Sequence, residues 1–426
     1  RLAGNRRQAI EHTVEALSAV AERLSTPVLV TLLTHLPTRT KPAPVRLYWP
    51  KGALALGAQS PDRRPALRAD AIAPAVRAVE AELLRRFARC GPVGDAVIDR
   101  ALGSVVVPFN ERTAGRSAVA LPRGSRLTVP ASKAIRLFLH WCEPKGGHTT
   151  DIDLSVGFYD DRWSLVGTCS YYNLTQKGVG DAVVARSSGD FTSAPPPDGA
   201  SEFVDIDRAA ARAAGYRYAA MIVNAYSGMA FSALERATAG VMLRDDLGGA
   251  HFDARTVELA FDLQGENGVY LPLVVDLAND TLHWVDVYAP GMIAMNIVAT
   301  SNRDVARLGP SLLAYFGSGE RASMFDLGLL HAAARAERVT VRNTTGAMLR
   351  YTRRAGESAA GLLARLRAGD ADGRVTSLGD LRAPVLGVLL RGDIALSEGA
   401  RAYALFREQV TWPLSASDLL ATPAEG

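Results

Sequence analysis

Apolar positions recur along the first ninety residues with the spacing of helices. Ile10, Val14, Leu17, Val20 and Leu24 fall at intervals of four and three, which places them on one helical face. Thr26, just before Pro27, can cap a second helix carrying Val28, Leu29, Leu32 and Leu33. Ile72, Val76, Val79, Leu83 and Phe87 predict a third, closed by the Gly91–Pro92 breaker. A proline-rich connection from Leu36 to Pro65 lies between the second and third, and holds the basic, aromatic run Arg46 to Gly52.

Near residue 125 the period changes from helical to alternating. Odd positions are apolar from Ile135 to Trp141, and even positions from Asp151 to Phe158. Further strand-like runs are Tyr218 to Tyr226, Gly240 to Leu243, Val257 to Leu263, Leu271 to Leu277 and Thr281 to Tyr288. Short strands of this kind, separated by Gly, Pro and Asp turns, predict an antiparallel β-sandwich. Helix is expected again at Ser323 to Arg338, Gly356 to Ala368 and Gly399 to Gln409. The chain therefore reads as α+β: a helical N-terminal region over 1–122, a central antiparallel β-sandwich over 123–292 and a mostly helical C-terminal region over 293–426.

Composition narrows the setting. No apolar run approaches the ~20 residues a membrane-spanning helix needs, and the charged N-terminal stretch reads as an amphipathic helix rather than a signal peptide. The 3 cysteines, an odd count with no close pair, argue against a disulfide framework and for a reducing cytoplasm. The net charge of +4 hides an asymmetry, because residues 143–290 hold 21 acidic and 10 basic side chains. Such a segment attracts cations unless arginines of the flanking regions neutralise it, and charge alone leaves both outcomes open.

The sharpest chemical pattern is Asp151-x-Asp153-x-Ser155. In a strand these three share one side, while Ile152, Leu154, Val156 and Phe158 face the core. An EF-hand loop is excluded, since it needs glycine at its sixth position and glutamate at its twelfth, where this chain has Val156 and Arg162. Two carboxylates on alternate positions either face water and repel mildly, or hold a hard cation. Further oxygen donors follow at Tyr172-Asn173, at Gly189-Asp190-Phe191-Thr192 and from Asp198 through Glu202 to Asp205.

These motifs, in this order, resemble the TerD-like domain of tellurite-resistance and stress-response proteins. That family carries Asp-Leu-Asp-Ala-Ser, then Phe-Tyr-Asn, then an acidic, glycine-rich loop. Asp151 to Ser155, Tyr171-Tyr172-Asn173, and Gly189-Asp190 with Asp198 and Glu202 stand at the corresponding places, and Phe203 to Asp207, Tyr218 to Val223 and Met242 to Asp245 continue the order. The resemblance covers about two-fifths of the chain. It implies a two-sheet β-sandwich with calcium held by Asp151, Asp153, Asp190, Asp198 and Glu202, with Asn173 and Thr192 as weaker ligands. The loop departs from the family where Pro195, Pro196 and Pro197 replace glycines and acids, and each lost carboxylate weakens attraction for a dication.

Other chemistry finds less. His140, Cys142 and His148 are three residues in irregular spacing, where zinc sites take four in paired spacing. Neither a phosphate-cradling glycine loop nor a nucleophile elbow occurs. The expected function is a non-enzymatic, cytoplasmic calcium-binding stress-response scaffold whose helical flanks bind protein partners. One alternative is a metal-dependent hydrolase or phosphoesterase using the same carboxylates, with Lys145 or His148 assisting. Another is a nucleic-acid-binding module at the arginine-rich C-terminal region, where Arg350-Tyr351-Thr352-Arg353-Arg354 sets an aromatic among cations.

Overall fold

The computed structural model describes residues 2–49, 58–109, 121–227, 229–247, 252–265, 268–289, 298–407 and 410–422. Helices α1 (Leu2–Ser18), α2 (Thr26–Thr38) and α3 (Ala69–Ala88) occupy the places their apolar spacing predicts, α2 starting after Ser25 rather than Thr26. A two-stranded ribbon, β1 (Val45–Tyr48) and β2 (Ala58–Pro61), lies in the proline-rich connection. Strand β3 (Val93–Asp99) follows α3 and is buried along its whole length.

The chain forms two compact units. One is made of Arg1–Arg46, Pro61–Asn110 and Tyr315–Gly426, the other of Leu47–Ser60 and Glu111–Ala314. The three consecutive regions expected from periodicity are thus replaced by one unit whose sequence interrupts the other.

The interrupting unit contains two six-stranded antiparallel sheets. Its strands are β4 (Arg126–Thr128), β5 (Ala134–Cys142), β6 (Asp153–Tyr159), β7 (Leu165–Cys169), β8 (Thr175–Lys177) and β9 (Val183–Ser187). After them come β10 (Ala200–Asp207), helix α4 (Arg208–Ala213), β11 (Tyr218–Asn224), β12 (Arg236–Arg244), β13 (Val257–Asp262), β14 (Val269–Asp276) and β15 (Thr281–Ala289). One sheet runs β13-β12-β5-β10-β9-β8 and the other β4-β15-β14-β11-β6-β7. The two meet through side chains: Phe261 on β13 packs edge-on against Trp284 on β15 with centroids 4.6 Å apart, and Glu202 on β10 accepts from the Leu154 N–H on β6 at 2.8 Å. Two buried arginine–carboxylate pairs brace the interior, Arg136 with Asp205 and Arg123 with Asp286.

Past α5 (Val298–Gly317), the first unit resumes with α6 (Met324–Arg335), β16 (Ala336–Arg342), β17 (Met348–Thr352), α7 (Ala359–Ala368), β18 (Gly373–Val375), β19 (Val385–Arg391), β20 (Arg401–Phe406), β21 (Pro413–Leu414) and α8 (Ala416–Leu420). Its sheet has the order β18-β17-β16-β3-β19-β20-β21, parallel from β16 to β21 and antiparallel at β17 and β18. The mostly helical C-terminal region is therefore corrected to a mixed α/β one. The helix expected to reach Arg338 stops at Arg335, and the tail expected as a helix over 399–409 forms β20, its last two positions lying outside the described residues. The physical reason is that a parallel strand buried on both faces shows no alternation, so Val385 to Leu390 reads as an apolar run of ambiguous type.

Two aspartates of β3 face two arginines of β16. Asp95 accepts from Arg338 Nε and Nη2 at 2.9 and 2.7 Å, and Asp99 accepts from Arg342 Nε and Nη2 at 2.6 Å each. Asp95 is fully buried, and Arg338 nearly so. Removing one member of such a pair leaves an uncompensated charge. Asp95→Ala is therefore expected to destabilise this unit by about 3 kcal/mol, seen as an earlier urea transition, while a circular-dichroism probe of the other unit's sheets keeps its midpoint.

Candidate metal centre

The end of β6 and the turn after β9 converge on one acidic point. One carboxylate oxygen each from Asp151, Asp153 and Asp190 lie within 4.8 Å of one another, and this is the one such His/Cys/Asp/Glu group found among the described residues. Asp151 precedes β6, and its backbone is tied to Ser227: its carbonyl accepts from the Ser227 N–H at 3.3 Å and its N–H donates to Ser227 Oγ at 3.2 Å. Asp153 opens β6 opposite Asn224 of β11. Asp190 follows Gly189, whose φ of 137° only glycine adopts readily, on a loop fixed by the Ser188–Phe203 backbone and side-chain bonds.

Burial varies across the cluster, with Asp153 buried, Asp151 half-buried and Asp190 exposed. The alternating pattern predicts Asp153 and Ser155 on a solvated side if no cation is present, but each is only 4 % exposed. Asp151 Oδ1 and Asp153 Oδ2 are shielded from solvent and receive no hydrogen bond. A buried, undonated carboxylate oxygen is costly as an anion. Accordingly burial, then Asp151, then Asp190 push the Asp153 carboxyl up to about 7, against the Asn224 side chain, whose hydrogen bond pulls it down. Asp151 is raised as well, by burial and by Asp190.

Glu202 stands just behind. It is 3 % exposed and spans two segments, its Oε2 accepting from Leu154 N–H at 2.8 Å and its Oε1 from Phe191 N–H at 3.0 Å. Burial outweighs these bonds and raises its carboxyl to about 8. Glu202 thus fixes the loop that carries Asp190 to the strand that carries Asp153. Glu143, which the motif reading does not single out, does the same one step away: its Oε1 accepts from Thr150 N–H at 2.9 Å and Ala194 N–H at 2.8 Å. Its only sequence signal is its place directly after the apolar strand that ends at Cys142.

Asp198 lies outside this group. Asp198 is exposed in the proline turn, where Gly199, at φ 72°, passes so close to Trp141 that a Cβ would sit 2.2 Å from its carbonyl oxygen. Asn173 spends its amide on Thr168 O at 2.6 Å and Gln176 Oε1 at 3.3 Å. Thr192 is exposed on the loop. Of the five candidate carboxylates, Asp151, Asp153 and Asp190 come together, Glu202 supports them, and Asp198 is not in the group. His140 bonds Ser201 Oγ at 2.9 Å, whereas His148 and Lys145 are exposed.

Three hard oxygen donors with two undonated oxygens suit a hard cation such as calcium, which takes six to eight oxygens. They do not suit a soft, sulfur-seeking metal.

No protein-family profile matches the chain, and no curated protein matches it. Among solved structures, it is similar to a protein of unknown function, SAV2460, at 13 % identity and TM-score 0.30, over 42 % of this chain and 98 % of that one. It is also similar to SCO6318 of Streptomyces coelicolor A3(2), described as a homologue of telluride resistance protein (TerD), at 9 % identity and TM-score 0.29, over 38 % of this chain and 92 % of that one.

The raised carboxyls set a pH dependence. Asp153 and Glu202 titrate at about 7 and about 8 in the folded chain, above their unfolded values. The folded state then binds more protons than the unfolded one across that interval, so stability falls as pH rises. The contribution of the protonated forms is complete below about pH 4 and gone above about pH 8. Metal-free protein should melt at a lower temperature at pH 8 than at pH 5, and Asp153→Asn should flatten the difference, stabilising the pH 8 protein by about 2 kcal/mol.

Proposed function

We propose that the chain is a divergent TerD-like protein whose two six-stranded sheets form one β-sandwich, and that it binds a single calcium ion as a non-enzymatic scaffold in stress response. The observation that carries the calcium reading is the pair of buried, undonated oxygens of Asp151 and Asp153 beside Asp190. The sandwich reading rests on the Phe261–Trp284 and Glu202–Leu154 contacts between the sheets.

Bound calcium supplies positive charge where carboxylates are crowded. The chain's own residues do the rest. Asp151, Asp153 and Asp190 offer the oxygens, and Glu202 and Glu143 hold the 188–194 segment in register with β6. Ion binding then favours the ordered loop by removing repulsion that only the assembled state suffers. Partner proteins and a cytoplasmic location complete the proposal. No described helix is long and apolar enough to cross a membrane.

A thermal melt of EGTA-treated protein, titrated with calcium, tests this. The melting temperature should rise saturably with calcium and far less with magnesium, by the amount mass action gives: about 2.7 kcal/mol of stabilisation at a hundred times the dissociation constant. Asp153→Asn or Asp190→Asn should abolish the rise while leaving the metal-free protein folded. An unchanged melting temperature for the wild-type chain at millimolar calcium would refute the calcium reading.

A further inference from the structure

The loops that carry and adjoin the acidic point also carry aromatic side chains that the fold does not bury. Tyr172 is 44 % exposed, Phe191 47 % and Tyr226 50 %, and with Tyr48, Phe252 and Trp412 they are the large exposed aromatics among the described residues. Half of that set thus gathers at one place, on three separate loops. Phe191 is the neighbour of Asp190, and its N–H is held by Glu202. Tyr226 adjoins Ser227, whose backbone is bonded to Asp151. Tyr172 packs edge-on against Tyr171, centroids 5.0 Å apart. The Tyr171 phenol, raised chiefly by burial, is raised further by Asp153, Tyr226, Tyr172 and Asp190, so these groups share one neighbourhood.

Core packing does not account for three exposed rings on the loops beside three carboxylates, and grouped exposed aromatics mark contact surfaces. The ion chemistry says what kind. Three aspartates form the group, while calcium takes six to eight oxygens, so the carboxylates alone do not complete its shell if each gives one. Without the cation the three carboxylates repel anions; a bound dication cancels most of that charge and offers its open positions to outside oxygens.

We infer that this face docks onto an anionic phospholipid membrane when calcium is bound, the ion bridging to headgroup oxygens while Phe191, Tyr172 and Tyr226 enter the interfacial layer. Such a surface supplies both features the site asks for. It presents dense anionic oxygens, and behind them an apolar boundary where aromatic rings, tyrosine above all, reside favourably. A soluble phosphate or an acidic peptide presents the oxygens alone. This inference rests on the calcium reading.

The test is co-sedimentation of the full chain with phosphatidylcholine vesicles, with and without about one-quarter phosphatidylserine, in calcium or in EGTA. Binding should require both phosphatidylserine and calcium, and EGTA should release it. Phe191→Ala and Tyr226→Ala should each weaken it about tenfold, with the calcium-induced rise in melting temperature intact. A chain that shows the rise but stays in the supernatant, or whose aromatic variants sediment like the wild type, overturns membrane docking and leaves calcium binding standing. A chain that sediments equally in EGTA overturns the bridging role. A chain with no calcium-induced rise takes both readings down together.

Discussion

Two carboxylates on one strand hold together parts of the chain that sequence keeps far apart. Asp95 and Asp99 on β3 meet Arg338 and Arg342 on β16, and they also anchor the far side of the sheet, since Asp95 Oδ2 accepts from Arg382 N–H at 2.5 Å and Asp99 Oδ2 from Leu390 N–H at 2.8 Å. β3 is the central strand, with β16 on one side and β19 on the other. A hydrophobic strand could in principle pair in several registers. A buried carboxylate cannot, because a slip would strand it away from its guanidinium at a cost far larger than that of a displaced methyl group.

The interrupting unit uses buried carboxylates in both ways. Arg136 with Asp205 and Arg123 with Asp286 repeat the paired solution inside its sheets. Asp151 and Asp153 do the opposite, keeping shielded oxygens that no donor satisfies. The chain makes the paired choice at Asp205 and Asp286 and leaves Asp151 Oδ1 and Asp153 Oδ2 without a donor. Glu202 and Glu143 tie loop to strand around that place through backbone N–H groups.

The helices α1 to α3 and the alternating strands from 134 onward were legible because each shows one clear apolar face. The β3-centred sheet was not. Its inner strands β3, β19 and β20 are mostly buried on both sides, so they lack alternation, and in β3 the buried Asp95 and Asp99 disguise a core strand as a polar one. In the site, Asp151 and Asp153 were legible from their spacing, and Asp190 through the family resemblance of its loop. Motif order gave no means of separating Asp190, which reaches the cluster, from Asp198, which sits on the outer proline turn. Loop path decides that, and it is set by contacts such as Glu143 with Ala194 that no local pattern encodes.

The interrupted order of the sheet also matters on the ribosome. β3 emerges first, yet the residue opposite Val97 is Thr340, 243 positions later. At about 5–20 residues per second, that interval lasts roughly 12–50 s. An apolar strand with both edges unpaired is a template for wrong partners for all of that time. The intervening unit, whose strands all pair with one another, has what it needs to fold meanwhile. Charged side chains within a strand discourage such pairing, and β3 carries two, the same Asp95 and Asp99 that clamp it in the finished sheet.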